Sequence, residues 1–179
     1  MPNWCCNTLR IVPTTDTARA LLPEIAGRFI PGNEYPEMSA FQLIHPMPAG
    51  LEDTTSPGDS PNWYDWRIAN WGTKWAECET TIVRSRPDEL LVSFETAWAP
   101  PFGVYQRLVE LGFDVLATYA EQGMGFAGYW ENGFDIDVPL SEVLVPADDG
   151  EFPDDGEILA KAFARSGLAE ELLPPGLGG

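Results

Sequence analysis

Six polar residues, Asn7, Asp65, Arg67, Asn70, Lys74 and Glu95, stand among the tryptophans Trp66, Trp71, Trp75 and Trp98. Polar groups set in an apolar wall either satisfy one another or face a ligand, because an unpaired one forfeits its solvation. Two readings follow. Asn7, Trp66, Asn70, Lys74, Glu95 and Trp98 could line a cleft for a small molecule or nucleotide, with indole faces giving contact area and the amides and charges fixing orientation. Alternatively, Lys74 and Glu95 pair, and the network pins a tryptophan-rich segment to the rest of the fold.

Nucleophilic and metal chemistry have less to work with. The chain has one histidine, His45, and three cysteines, Cys5, Cys6 and Cys78. No Cys-x-x-Cys or His-x-x-x-His spacing supports a metal site, and no cysteine lies near the histidine in sequence. Buried thiols acting as small apolar side chains are the simpler expectation, so no metal, cofactor or catalytic residue is assigned. Adjacent Cys5 and Cys6 cannot bridge without strain, and on a strand they point to opposite faces. The run Gly123-Met124-Gly125-Phe126-Ala127-Gly128 lacks the Lys-Ser/Thr and following helix of a phosphate loop, and reads as a tight hairpin.

Charge is the other strong signal. The 179 residues include 28 acidic and 10 basic ones, a net charge of −18. Such a field repels phosphate backbones and anionic lipid, which disfavours direct nucleic-acid binding and membrane association and makes basic proteins the natural partners. With 44% hydrophobic and 12% aromatic residues the chain nonetheless has the material for a packed core. Residues 131–179 hold 12 acidic and 2 basic residues, or −10; residues 1–130 hold 16 and 8, or −8. Within the tail, Asp148, Asp149, Glu151, Asp154, Asp155 and Glu157 place six carboxylates in ten residues. Solvation is the common reason for such a run. Held on a folded scaffold, it could instead imitate the charge of DNA and fill the basic channel of a nuclease. It lacks the Asp-x-Asp-x-Asp-Gly loop of a calcium site. No basic, apolar export signal opens the chain and no apolar run reaches the ~18 residues of a membrane span, so a soluble, cytoplasmic protein is expected.

The elements that must position these groups follow from periodicity. Residues 3–12 form a strand stopped by Pro13, and Thr15 or Asp16 caps a helix whose apolar positions run from Ala18 to Phe29, with Pro23 inside it. Residues 62–72 form a helix closed by Gly72, and 77–85 and 90–96 form a hairpin across Arg86-Pro87-Asp88-Glu89. Pro100-Pro101 opens a helix ended by Gly112, and Phe113–Tyr119 and Phe126–Trp130 are two further strands. Without an insertion at 41–75, the order is strand, helix, strand, strand, helix, strand. That order is the ferredoxin-like α+β plan, an antiparallel sheet with two helices on one face. The aromatic insertion and the strand after Gly125 are expected to cover the other face. Ile158, Leu159, Ala162 and Phe163 mark a short helix in the tail.

Five segments carry a resemblance. They are Pro2-Asn3-Trp4-Cys5-Cys6-Asn7, Pro46-Met47-Pro48, Trp63 to Arg67 with Asn70-Trp71-Gly72-Thr73-Lys74-Trp75, Phe94-Glu95-Thr96-Ala97-Trp98-Ala99-Pro100-Pro101, and Tyr119 to Gly128. In this order they resemble the YubB-like ferredoxin-domain proteins of bacterial plasmids and phages, over residues 1–130. The resemblance implies a ferredoxin-like fold and residence on mobile elements, and brings no catalytic residues.

The expected organisation is thus a ferredoxin-like domain at 1–130 and an acidic extension at 131–179. The expected function is non-enzymatic. A monomer or small homo-oligomer would bind a basic host protein, such as a nuclease or CRISPR effector, through the 148–157 carboxylates and inhibit a defence system of anti-CRISPR or anti-restriction type. The alternative is a ligand-binding domain or enzyme using the tryptophan-rich cleft.

Overall fold

The computed structural model describes residues 3–29 and 38–139. It is an α+β fold built on one six-stranded antiparallel sheet. In chain order the elements are β1 (Trp4–Pro13), α1 (Asp16–Ala26), α2 (Ala40–Ile44), a short 3-10 turn (Leu51–Asp53), α3 (Trp63–Asn70), β2 (Cys78–Arg86), β3 (Glu89–Ala97), α4 (Phe102–Glu110), β4 (Phe113–Glu121), β5 (Phe126–Glu131) and β6 (Phe134–Pro139). The sheet order is β2-β3-β1-β4-β5-β6.

Local signals act where the sequence puts them. Thr15 accepts a hydrogen bond from the Ala18 amide at 3.1 Å and starts α1, which carries Pro23 without breaking. Gly72 and Gly112 end their helices at φ +88° and +91°, a region that penalises a side chain.

Alternation sorts the central strands. Cys5, Leu9 and Ile11 of β1 align with Thr96, Val92 and Leu90 of β3 and with Glu121, Ala117 and Val115 of β4. Their apolar members form one core with Leu22 and Ile25 of α1 and Val104, Tyr105 and Leu108 of α4. Cys5 is buried in that core and Cys6 takes the opposite face, as strand alternation requires.

Three expectations need correction. The insertion does not cover the far face of the sheet. Phe41, Ile44 and Trp71 join the same core as α1 and α4, with Phe41 edge-on to both Trp71 and Phe94. A second helix layer already offered an apolar surface there, and the aromatic rings complete it. Nor does β5 cover a face, because it hydrogen-bonds to β4 and extends the sheet. Finally, the sheet does not stop at residue 130: β6 pairs with β5 from Phe134 to Pro139, so Asp135 and Asp137 belong to the sheet. The tail helix and the 148–157 carboxylates lie outside the described residues.

The helices of the insertion and of the core meet at Gly103. Its amide donates to the Trp71 carbonyl at 3.2 Å, and a Cβ there would stand 1.8 Å from the Asn70 carbonyl oxygen. Backbone on backbone leaves no rotamer to yield. Gly103→Ala should therefore destabilise the fold by about 1–3 kcal/mol, as overpacking does. Gly125→Ala, at φ +74° but with open space around it, should cost less, mainly through backbone strain. Denaturant unfolding of both variants checks this, and equal losses would contradict the α3–α4 contact.

Candidate functional site

The six residues of the proposed cleft do not meet in one place. Asn7 lies in the core, where its Nδ2 donates to the Cys5 carbonyl at 2.8 Å and to Thr96 Oγ1 at 2.9 Å. Its Oδ1 accepts from the Tyr105 hydroxyl at 3.0 Å, and Thr96 Oγ1 donates onward to the Ala99 carbonyl at 2.8 Å. This chain fixes the end of β1 and the loop into α4. It satisfies a buried amide that would otherwise be costly.

Asn70 and Trp66 belong to the helical insertion. Asn70 Nδ2 donates back to the Trp66 carbonyl at 2.8 Å, and the Trp66 ring stands edge-on to His45 at 5.4 Å and to Trp71 at 5.8 Å. A cavity of about 420 Å³ opens here, lined by His45, Pro46, Ala69, Asn70, Gly103, Gln106, Arg107 and Glu110. His45 Nδ1 is buried without a hydrogen-bond partner among the described residues. Burial and then the Arg107 charge hold the imidazole below its usual range, so it stays neutral near pH 7. The cavity can hydrogen-bond a small polar molecule. No cysteine, serine or threonine lines it beside the imidazole.

Glu95 faces elsewhere. It pairs in register with Cys6 of β1 and Cys78 of β2 on the sheet face away from the helices. The Cys6 thiol approaches its Oε1 at 4.0 Å and the Cys78 thiol donates to its carbonyl at 3.4 Å. Burial and the neighbouring Glu79 raise the Glu95 carboxyl, and burial with Glu95, Glu79 and Glu77 pushes the Cys78 thiol up to about 11. A thiol so protected from ionising is a poor nucleophile. No disulfide joins Cys5, Cys6 or Cys78, and among the described residues no three His, Cys, Asp or Glu side chains converge as a metal site.

Lys74 is not paired with Glu95 among the described ion pairs. Its ammonium lies over Trp75 at 4.7 Å and Tyr64 at 5.9 Å, while Trp75 packs against Trp4 at 6.0 Å. Arg67 is held likewise, between Trp63 at 5.2 Å and Trp71 at 4.9 Å. Two cations are thus spread over indole faces inside the motif that suggested a cleft. Trp98 is exposed, at φ +72°.

The arrangement includes residues that composition could not single out. Glu77 is buried, and its carboxylate accepts the Ala40 and Phe41 amides, anchoring the start of α2 to the residue just before β2. On the far sheet face Arg10 and Arg84 converge on Glu89 at 2.7 and 2.9 Å, drawing its carboxyl below the usual range. Alternating polar residues on three strands carried that signal, but only the β2–β3 and β1–β3 registers make it readable.

No family model matches the chain, and no curated protein matches it. A solved structure, the protein api92 from Yersinia pseudotuberculosis, of the family DUF1281, is similar to it at 12% identity and a TM-score of 0.45, covering 78% of this chain and 98% of that one. Among the described residues no helix is long and apolar enough to cross a membrane.

Glu77 yields a pH test. Burial pushes its carboxyl up to about 7, although the two amides favour the anion. The folded protein then holds this proton more tightly than the unfolded chain. Its contribution to stability falls as pH rises from the ordinary value of 4.5 to about 7 and is constant above. The stability difference between the native protein and Glu77→Gln should decline across that window by on the order of 3 kcal/mol, at 1.36 kcal/mol per unit. Urea unfolding of both at several pH values measures it, and a difference that is flat or rises would refute the assignment.

Proposed function

We propose that the protein is a non-enzymatic binding module directed at a basic protein partner, in the manner of a mobile-element accessory protein that blocks a nucleic-acid-handling defence enzyme. The observation that carries the reading is where the chain's own cations are placed. Arg10 and Arg84 are tied to Glu89, Arg107 to Glu110, and Arg67 and Lys74 to indole faces. These five are held in place beside carboxylates or rings, and with 28 acidic residues against 10 basic ones the net charge is −18, so the outward field is that of an anion. A field of this kind steers a basic channel onto the protein and competes with DNA for it.

Two further features support the reading. Asn7 and Asn70 are bound to neighbouring side chains and backbone while Arg67 and Lys74 lie over ring faces, an arrangement that gives the enzyme alternative no convergent set of groups among the described residues. The strand order β2-β3-β1-β4 with α1 and α4 on one face is the arrangement a ferredoxin-like domain requires, with β5 and β6 added at its edge. We take the cytoplasm of a bacterial host as its place of action.

Mixing the full chain with a panel of purified basic DNA-cleaving enzymes, including a restriction nuclease and a CRISPR effector, tests the proposal. DNA binding by at least one should be suppressed at ~50 mM salt and restored by ~500 mM, where the Debye length falls to a few ångströms. No suppression across the panel at low salt, or suppression indifferent to salt, would count against it.

A further inference from the structure

We propose that the exposed aromatic tip of Trp4, Tyr64, Trp75 and Trp98, flanked by Glu79 and Glu95, is the docking surface for an arginine-bearing segment of the partner protein. This rests on the basic-partner reading above and says which residues engage it.

The four rings gather at one end of the sheet. Trp4 opens β1 opposite Ala97, and the Trp98 amide donates to the Asn3 carbonyl at 2.9 Å, so Trp98 directly follows the strand pair that ends at Trp4. Thr73 Oγ1 donates to the Ala97 carbonyl at 2.9 Å and brings Lys74 and Trp75 to the same end. Trp4, Tyr64, Trp75 and Trp98 are 39%, 37%, 36% and 47% exposed. Large rings left in water together, in a chain that buries Trp71 completely, mark a surface reserved for contact.

Backbone strain points to the same place. Among the described residues, three non-glycine residues have positive φ; one is Trp98 of this tip at +72°, and another is Glu79 at +47°, next to the Cys78 that pairs with Glu95. A bulky residue in that region costs of order 1–3 kcal/mol and persists where it has a use. At Trp98 the outcome is an indole presented to solvent. At Glu79 it is a carboxylate beside Glu95, at the irregularity between Cys78 and Thr81.

The occupant follows from chemistry the chain already uses. Arg67 is held between two indoles, and Lys74 over a tryptophan and a tyrosine. Among the described residues Arg67 and Lys74 lie over other rings, and the 39% and 47% exposure of Trp4 and Trp98 offers ring surface to a guanidinium from outside. Glu79 and Glu95 supply the carboxylates that a planar guanidinium can meet while it stacks. A nucleobase could also stack on such rings, but its phosphates would meet these carboxylates and the field of the whole chain.

The test uses the full-length chain and an acetylated, amidated hexa-arginine peptide, with affinity read by calorimetry at low salt and the tryptophan indole resonances followed by NMR. The native protein should bind, with the Trp4 and Trp98 resonances shifting and that of Trp71 unmoved. Trp98→Ala, a surface change that leaves the core intact, should weaken binding by about 3- to 10-fold, the range of an exposed to partly desolvated cation–π contact. Glu95→Gln should weaken it further. A variant with Asp148, Asp149, Glu151, Asp154, Asp155 and Glu157 changed to their amides should keep its dependence on Trp98. If Trp98→Ala binds as the native protein does while the tail variant loses the peptide, the docking site is overturned and the basic-partner reading stands. If the native protein does not bind hexa-arginine at all, both fall. Stronger Trp98-dependent binding of a ten-residue oligothymidine, or Trp98-dependent self-association in sedimentation, would give the tip to a different occupant and overturn the proposal.

Discussion

Trp71 is fully buried, and α2, α3 and α4 meet at it. Its indole N–H donates to the His45 carbonyl at 2.8 Å, which ties α3 to the end of α2. Its carbonyl accepts the Gly103 amide and so ties α3 to α4. Its ring meets Phe41 and Trp66 edge-on and supports the Arg67 guanidinium. An indole buried with its one donor satisfied contributes a large apolar area and no polar penalty. With that contact in place the loop through residues 45–62 closes over ordered ends, Glu77 can reach the α2 amides, and the chain arrives at β2 with Lys74 and Trp75 at the sheet's end. Without it, α3 would lose its ties to the end of α2 and to α4.

The consequence for function is a division among the tryptophans. Trp71, with Trp66 and Trp63 beside it, builds the layer that holds α3 and absorbs Arg67. Trp4, Trp75 and Trp98 stand at the sheet's end in water. The same division runs through the charges, since most described cations are bound to a carboxylate or a ring while many carboxylates remain outside. The proposed binding role would draw on both facts. An exposed aromatic surface gives contact area, and a one-signed field brings the complementary surface to it.

Much of this order was legible in the sequence because it depends on local rules. Thr15 before an apolar 3-4 pattern, two prolines before α4, glycines after α3 and α4, and a four-residue turn between Val-rich runs each fix an element by backbone chemistry. The strand β6 was hidden by composition. In Phe134-Asp135-Ile136-Asp137 alternate residues are acidic, which reads as the start of a charged tail, and only pairing with β5 shows it to be an edge strand. The face taken by the insertion was not legible either, since the apolar character of Phe41 and Trp71 suits both sides of the sheet. The candidate cleft failed as a single site for a related reason. Asn7 and Glu95 are on adjacent strands and in nearby register, yet alternation sends one into the core and the other to the opposite face, and residue type alone does not record that parity. Asn70 and Lys74, four residues apart, are separated by the turn at Gly72.

Trp71 is locked in place while Trp98 stands exposed. Hydrogen exchange of the tryptophan indole N–H groups, followed by NMR on the full-length protein, measures this directly. The Trp71 indole should exchange only through opening of the insertion or of the whole fold, orders of magnitude more slowly than the indoles of Trp4 and Trp98. Equal exchange at all three would mean that the insertion is not held by its buried tryptophan.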